Sequence, residues 1–168
     1  MRQSVSPVRD ATGKVLYLVV IAEDIDERKR ALEELRASEA RFKAVLDNAA
    51  VGVAMMTLDR HIVQINPTVT RITGYSPEEM YRIDPTLMVV EEDRVIDREL
   101  FLELVAGRRA QYLVEKRYRR RDGSLFWGRI NFALVRNEQG EPHYIIGMIE
   151  DITEERAARQ TLAESEAR

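Results

Sequence analysis

An internal repeat with a constant offset of 127 residues limits what this chain can fold into. Residues 2–41 align without a gap onto residues 129–168, and about fifteen of these forty positions are identical. The identities include Tyr17 with Tyr144 and two Glu-Asp-Ile triplets, which begin at Glu23 and Glu150. Self-similarity over such a length indicates a tandem array in which each repeat is one structural unit.

The repeat predicts four segments along the chain. Residues 1–25 are the C-terminal strands of a preceding unit, 26–48 a linker helix, 49–153 the core of one whole unit, and 154–168 a second linker helix. Strands without the rest of their sheet leave unpaired edges and an uncovered apolar face. We therefore expect residues 1–25 either to be disordered or to pair opportunistically, for example with a second copy of the chain.

Strand patterns occur at both ends of the predicted core. Residues 51–59 and 61–66 alternate in the manner of a β-hairpin. Three further alternating segments, joined by short turns, follow at residues 111–120, 125–136 and 143–150. Antiparallel strands at both ends of a domain, with helices inserted between them, indicate the α+β class.

Helix start and stop signals fill the middle of the core. An Asn-Pro pair at residues 66–67 is an N-cap followed by proline at the first helical position, and Gly74 can end that helix. Ser76 and Glu79 have the spacing of a capping box, which starts a second short helix. A longer helix is expected over residues 92–106.

The linker helix over residues 26–48 carries an apolar seam. The segment contains neither Gly nor Pro and is rich in residues that favour helices. Its apolar side chains recur with a spacing of three and four, interrupted by Arg28 and Glu39, as in a short, imperfect coiled coil. Such a stripe can also pack only on its own domain. We predict a homodimer through the flanking helices. The residues of this dimer seam are Leu32, Leu35, Phe42 and Leu46.

Composition and charge exclude several classes of protein. Hydrophobic residues make up 45% of the chain and charged residues 33%, which favours a packed core over intrinsic disorder. The absence of cysteine excludes disulfides, thiolate nucleophiles and cysteine metal sites. No apolar run approaches the roughly 20 residues that cross a bilayer, and no signal-peptide pattern opens the chain, so we expect a cytoplasmic location without direct membrane contact.

The charge pattern gives no reason to expect nucleic-acid binding. The net charge is −3, and the one basic cluster lies within residues 116–121, just before a tight turn. Strand alternation would divide that cluster between two faces. A solvated strand end is therefore favoured over a phosphate-binding patch.

Four short motifs, taken in order, resemble the PAS family. They are IVQIN at 62–66, ITGYSPEEM at 72–80, RRRDGSLFW at 119–127 and YIIGMIEDITEER at 144–156. The resemblance covers roughly residues 38–153. It implies a five-stranded antiparallel sheet with short helices cupping one face. It also implies a sensory or dimerisation module whose partners are adjacent PAS units and an effector domain, such as a histidine kinase or diguanylate cyclase, elsewhere in a parent protein.

Asp151 and Thr153 form the predicted signal junction. Thr153 can cap the first turn of the following helix, and Asp151 can accept a backbone donor or pair with an arginine. The resemblance implies that the last strand becomes the output helix at this point. A simple cap and a lever that passes strain from sheet to helix predict the same contacts. Residues 23–26 are expected to be the same junction of the preceding unit.

The cofactors known for PAS proteins can be tested against these residues. A covalent flavin adduct requires a reactive cysteine, which this chain lacks. Haem-binding members use a histidine on the long helix, whereas the only histidines here are His61, beside a hairpin turn, and His143, at the start of the last strand. Neither cofactor is therefore expected, and a small metabolite stays open as the ligand.

The resemblance also implies an apolar pocket between the sheet and the helices. Most such side chains in a small domain simply form its core, and methionines can either fill gaps or line a yielding pocket. Trp127 and Asn131 are the faint sign of a non-covalent flavin site. The full set of pocket candidates is Met55, Thr57, Ile72, Met88, Phe101, Tyr112, Trp127, Asn131 and Met148.

Three classes of function remain to be compared. The first is a signal-relay and dimerisation module without catalysis, and the second is a sensor that binds a small molecule in its pocket. The third, an enzyme, is not expected, because no Ser-His-Asp set, Gly-rich phosphate loop or metal-binding spacing of His and carboxylates occurs. The acidic run at residues 91–93 is better explained as a helix start than as a metal site.

Overall fold

The computed structural model describes residues 2–23 and 26–166 and divides the chain into two compact units. The first unit contains a β-hairpin and most of one helix, and the second begins at Leu46. Within the described ranges, no helix is both long enough and apolar enough to cross a bilayer.

The first unit is built from strands β1 (Arg2–Arg9) and β2 (Val15–Glu23), followed by helix α1 (Asp26–Asp47). The strands pair with each other in antiparallel register and form a sheet of two strands. Asp24 and Ile25, which belong to the predicted junction of a preceding unit, lie outside the described residues. Large apolar side chains on both faces of the hairpin are exposed, namely Val5, Leu16, Tyr17, Leu18 and Val20.

The second unit contains the five-stranded antiparallel sheet that the motifs predicted. Its spatial order is β4-β3-β7-β6-β5, so the first and last strands of the chain's core lie side by side at the centre. This arrangement confirms the α+β class. The strands are β3 (Gly52–Met56), β4 (Ile62–Ile65), β5 (Gln111–Arg119), β6 (Leu125–Arg136) and β7 (Pro142–Asp151).

Short helices cover one face of the sheet, and a longer helix leaves its end. They are α2 (Pro67–Thr73), α3 (Pro77–Met80), 3-10 turns at Pro85–Met88 and Glu91–Asp93, α4 (Arg98–Val105) and α5 (Thr153–Glu166). The predicted end signals are confirmed. Asn66 accepts a hydrogen bond from the Val69 amide, Gly74 takes a left-handed φ of 77°, and Ser76 and Glu79 make both bonds of the capping box.

The long helix predicted over residues 92–106 is wrong in its first half. The helix begins only at Arg98, because the preceding segment follows the edge of strand β5 instead. Val90 donates its amide to the carbonyl of Arg117 at 2.9 Å, and Asp93 accepts the amide of Arg117 at 2.8 Å. These bonds satisfy backbone groups of an edge strand that would otherwise be unpaired.

The hydrophobic core lies between the inner face of the sheet and the short helices. Inward-facing residues alternate along β5, β6 and β7, as the two-residue period of a strand requires. The largest fully buried side chains of the chain are Phe126, Leu104, Ile145, Ile152, Val69 and Thr73.

The hairpin of the first unit repeats the geometry of β6 and β7 at the sequence offset of 127. Both hairpins have a register shift, between Val8 and Arg9 in one and between Val135 and Arg136 in the other. In each hairpin the equivalent arginine, Arg9 or Arg136, donates to the carbonyl of the turn glycine, at 2.9 and 2.8 Å. Helices α1 and α5 also begin at equivalent positions.

Candidate functional site: a cavity and a strand-to-helix junction

A cavity of about 80 Å³ lies inside the second unit, between the sheet and the helices. Its wall is mainly apolar and comes from strands on both sides of the sheet's centre and from the covering helices. Three charged side chains also reach the wall, Arg60, Asp97 and Lys116.

Asp97 and Lys116 form a buried ion pair in the cavity wall. They are only 2% and 4% exposed, and Lys116 Nζ lies 2.9 Å from Asp97 Oδ1. The hydroxyl of Tyr112 donates to the other carboxylate oxygen at 2.8 Å. Burial lowers the pKa of Lys116, although Asp97 acts in the opposite direction, and burial together with Asp97 raises the pKa of Tyr112. The three groups therefore satisfy one another away from water.

Arg60 reaches the cavity from a strained backbone position. In the described part of the chain it is the only non-glycine residue with positive φ, at 72°. Its amide donates to the Thr57 carbonyl at 3.0 Å, and Gly13, Gly123 and Gly140 make the same bond in the other three hairpin turns. A side chain in this left-handed conformation costs about 1 to 2 kcal/mol. Arginine thus stands where the other turns of this chain use glycine.

The predicted pocket residues divide between the two faces of the sheet. Met88 and Phe101 line the cavity. Tyr112 is buried next to the cavity and donates its hydroxyl to Asp97 in the wall. Thr57 bonds within its own hairpin turn, and Ile72 lies half-buried on α2. The remaining four lie on the outer face, since their strand neighbours point inward. They are Met55, Trp127, Asn131 and Met148.

The predicted junction residues are joined directly. Thr153 donates its amide and its hydroxyl to Asp151 Oδ1, at 3.0 and 2.6 Å. The same hydroxyl accepts the amide of Trp127 at 3.0 Å, so the start of α5 is attached to strand β6. Burial acts to raise the pKa of Asp151, but the hydrogen bonds from Thr153 and Arg120 outweigh it, and the pKa is below its ordinary value.

Arg120 connects the junction to the helices around the cavity. Its guanidinium donates to Asp151 Oδ2 at 2.5 Å and to the carbonyl of Ile72, in the last turn of α2. The next residue along α2, Thr73, lines the cavity. One side chain therefore links a helix of the cavity wall to the point where the sheet becomes α5.

Ionic contacts hold the first turns of α5 on the outer face of the sheet. Arg129 lies 2.9 Å from Glu115 and 3.2 Å from Glu155, and Arg156 lies 2.6 Å from Glu115. The Arg156 guanidinium also stacks 3.9 Å from the ring centroid of Trp127. Individual surface ion pairs contribute little, but a network of this kind fixes the direction in which the helix leaves.

Most of the basic side chains at residues 116–121 are paired with acidic groups of the same unit. Lys116 faces inward to Asp97, and Arg117 faces outward and forms two side-chain bonds to Asp93. Arg120 binds Asp151, and Arg121 lies 2.7 Å from Glu79. The alternation predicted for this segment divides its charges between two faces.

The ion pair of Asp93 leads to a prediction about acid stability. The pKa of Asp93 lies below its ordinary value of 3.8, first because Arg117 hydrogen-bonds the carboxylate. A depressed folded-state pKa adds stability above pH 3.8, and this stability is lost as the pH falls through the folded value. Asp93→Asn should lower the free energy of unfolding by about 2 kcal/mol at neutral pH. Its denaturant midpoint should also fall less steeply below pH 4, so parallel pH profiles for the two proteins would contradict this prediction.

The seam of α1 is largely exposed in the structure. Leu35 and Phe42 are 54% and 66% exposed, Leu32 is exposed as well, and Leu46 is half-buried. No residue of α1 is buried. The apolar seam is thus left uncovered within the described chain.

Several of these residues were not identified from the sequence. Asp97 lies in the segment 92–106, for which the sequence predicts only a helix, and Arg60 lies in a predicted turn. The comparison of the four hairpin turns could have indicated Arg60, since glycine occupies the equivalent position in three of them. No local pattern marks Asp97, because its partners Tyr112 and Lys116 lie on a distant strand.

Known proteins share both the sequence and the fold. The sensor histidine kinase TmoS of Ectopseudomonas mendocina is 33% identical over 76% of this chain, and the probable diguanylate cyclase DgcE of Escherichia coli is 32% identical over 80%. The chain spans only 13% and 12% of the lengths of these relatives. Both are signalling proteins by name, and this chain is homologous to a small part of each.

Solved structures agree on the fold. The PAS domain of an HTR-like protein from Haloarcula marismortui has a TM-score of 0.61 and 21% identity, and the match covers 74% of this chain and 99% of that chain. An RNA-binding light-oxygen-voltage receptor has a TM-score of 0.65 and 23% identity, over 77% and 37% of the two chains. At these identities the likeness shows the fold alone. The family model of the PAS fold matches residues 40–152, which is more than half of the sequence, and the chain therefore belongs to the PAS family.

Proposed function

We propose that this chain is a signal-relay module that transmits changes in its sheet to helix α5. The observation that carries the proposal is the attachment of Thr153 to both Asp151 and the Trp127 amide. A shift of strand β6 relative to β7 changes these bonds at once, and so changes how α5 begins. Arg120 extends the route to helix α2 and hence to the cavity wall.

The relay acts within a longer, cytoplasmic signalling protein. Residues 1–25 correspond to the last two strands of a preceding unit, and α1 and α5 are the linker helices of an array. The matching register shifts of the two hairpins support this division. The catalytic effector, of the histidine kinase or diguanylate cyclase kind, belongs to another part of the parent chain.

A double substitution at the junction tests the relay. Asp151→Ala with Thr153→Ala removes the side-chain bonds that attach α5 to the sheet. We expect amide hydrogen exchange of Trp127 and in the first turn of α5 to become at least tenfold faster, which corresponds to about 1.4 kcal/mol, with the other amides of β6 and β7 unchanged. In the parent protein the same change should uncouple the output from the stimulus.

A second turn of the same shape provides a matched control. Ser124 donates its amide and hydroxyl to Asp122 Oδ1 at 2.9 and 2.6 Å, which reproduces the junction geometry in an exposed hairpin turn. Asp122→Ala with Ser124→Ala should leave both exchange and output unaltered. Normal signalling by a folded junction variant would rule out the lever role.

Homodimerisation through the flanking helices is the second part of the proposal. The exposed seam of Leu32, Leu35 and Phe42 on α1 supports it, because exposed apolar side chains along one face of a helix favour a partner.

Charged residues in the seam should separate the dimer. In analytical ultracentrifugation, the unsubstituted 168-residue chain should sediment as a dimer at micromolar concentration. The variant with Leu35→Glu and Phe42→Glu should sediment as a monomer. Ala37→Glu, an exposed change away from the seam, is the control and should remain dimeric. If the unsubstituted chain is monomeric at every concentration, dimerisation through the seam is ruled out.

Ligand sensing is the alternative function, and the cavity favours it. A mainly apolar pocket with a few converging polar groups is the usual form of a small-molecule site. Under this alternative the stimulus is a ligand that prefers one arrangement of the helices around the cavity, and Arg120 passes the difference to the junction.

A further inference from the structure

The cavity wall carries a guanidinium that no carboxylate of the described residues binds directly. The guanidinium of Arg60 lies with its Cζ 3.6 Å from the ring centroid of Phe101. It makes no hydrogen bond and no ion pair with any residue in the described ranges. The other two charges of the wall, on Asp97 and Lys116, are 2.9 Å apart and cancel each other. The surplus of one positive charge favours an anion.

The two threonines at the wall already have partners. Thr73 donates its hydroxyl to the Val69 carbonyl at 2.8 Å, and Thr86 donates to Asp84 at 2.7 Å. The nearby acid Asp84 accepts the amide and hydroxyl of Thr86, and its charge acts on Arg60 only across a gap, without an ion pair. Arg60 is consequently the charged group of the wall that has no hydrogen bond or ion pair within the described residues.

The backbone conformation of Arg60 points to its side chain as the reason for its presence. The turn would be less strained with glycine, as in the three other hairpin turns of the chain. Non-glycine residues in left-handed conformations are concentrated at functional sites, where the strain is offset by what the side chain does. Here the side chain is directed over Phe101, at the cavity wall.

The size and polarity of the cavity restrict the ligand. A space of about 80 Å³ is roughly half of an engineered cavity that holds benzene, so it admits a molecule of only a few non-hydrogen atoms. Most of the wall is apolar and its other charges are paired with each other, which disfavours a fully hydrophilic anion such as sulfate. A guanidinium binds a carboxylate through two parallel hydrogen bonds.

We propose that the cavity binds a monocarboxylate of two to four carbon atoms, with the carboxylate on Arg60 and the hydrocarbon end against the apolar wall. This proposal rests on the sensory form of the proposed function, because it names the ligand class that the site takes. It assigns the selectivity for charge to Arg60 and the selectivity for length to the cavity volume.

Titration of the full chain with propionate and with propionamide tests the proposal. The two compounds have nearly the same shape, and only propionate carries a charge. Followed by two-dimensional NMR of the 15N-labelled chain, propionate should shift the Arg60 and Phe101 signals with a Kd at least tenfold lower than that of propionamide. Thermal unfolding should show a higher Tm with saturating propionate and no change with propionamide or sulfate.

Two variants of Arg60 separate binding from folding. Arg60→Gly and Arg60→Gln should each weaken propionate binding at least tenfold, while Arg60→Gly should unfold at the parent Tm or above in the absence of ligand. Arg108→Gln, an exposed arginine outside the cavity wall, is the matched control and should bind propionate like the parent.

The outcomes distinguish this proposal from the relay itself. Equal affinity for propionate and propionamide, equal affinity for sulfate, or undiminished binding by Arg60→Gln would overturn the monocarboxylate site. If that occurs while the Asp151 and Thr153 substitutions still uncouple the output, the relay function stands and only the ligand class is wrong.

Discussion

Replacing Asp97 with alanine should destabilise the protein by about 3 to 5 kcal/mol, because it leaves Lys116 buried without its counter-charge. Lys116 is 4% exposed, and the hydroxyl of Tyr112 loses its acceptor in the same variant. The loss is measured as the difference in free energy of unfolding in urea at pH 7, with the slopes compared to confirm two-state behaviour.

The pH dependence of this variant gives a second measurement. The folded-state pKa of Lys116 is already below its ordinary value of 10.5, and removal of Asp97 takes away an interaction that raises it. A depressed lysine pKa destabilises the fold fully below the folded value, and this penalty disappears as the pH rises toward 10.5. The deficit of Asp97→Ala should therefore shrink between neutral and alkaline pH.

A double variant distinguishes a buried charge from simple loss of packing. Asp97→Leu with Lys116→Met removes both charges and keeps the apolar volume. We expect it to be more stable than Asp97→Ala, since buried ion pairs can often be replaced by apolar residues at little cost. If the free energy of unfolding of Asp97→Ala lies within about 1 kcal/mol of that of the unsubstituted chain, the loss is no more than that of one ordinary hydrogen bond. That result would show that the pair is not effectively buried.

Asn66→Ala should produce the second large loss, of about 2 to 4 kcal/mol. The Asn66 side chain accepts the amide of Val53 at 2.8 Å and caps α2, and its amide group donates to the carbonyls of Leu46 and Val51, at 2.8 and 3.1 Å. The side chain is almost completely buried, so alanine leaves these backbone groups without partners. Urea denaturation at pH 7 measures the difference.

Asn137→Ala is the matched control for this second prediction. Asn137 also makes several side-chain bonds, to the amides of Gln139 and Glu141, but in an exposed turn where water can replace them. We expect a loss of less than about 1 kcal/mol. Equal losses at the two asparagines would mean that the role of Asn66 is no more than that of an ordinary turn residue.

Local signals were sufficient to predict the boundaries of most elements. The sequence predicts the N-cap at Asn66, the stop at Gly74 and the capping box at Ser76, because each depends only on neighbouring residues. Strand β6 also has the predicted bounds. The start of α4 could not be predicted in this way, because it depends on bonds between Asp93 and Arg117 on a distant strand.

The inward face of a strand was harder to predict than its ends. Met55 and Met56 are both apolar, so alternation does not decide which of them faces the helices, and the structure places Met56 in the cavity wall. The same ambiguity holds for Met148, whose neighbours Gly147 and Ile149 point inward. Where both faces of a sheet carry apolar side chains, only the full set of strand pairings resolves the choice.

Residues 90–93, which run alongside the edge strand β5, affect how this protein can associate. Val90 and Asp93 occupy backbone groups along one edge of the five-stranded sheet, and the strand at the other edge, Ile62–Ile65, is only four residues long. Protected and short edges discourage intermolecular strand addition, which is a common route to aggregation. Copies of the second unit should therefore meet through helices or sheet faces and should resist growth into extended β-assemblies.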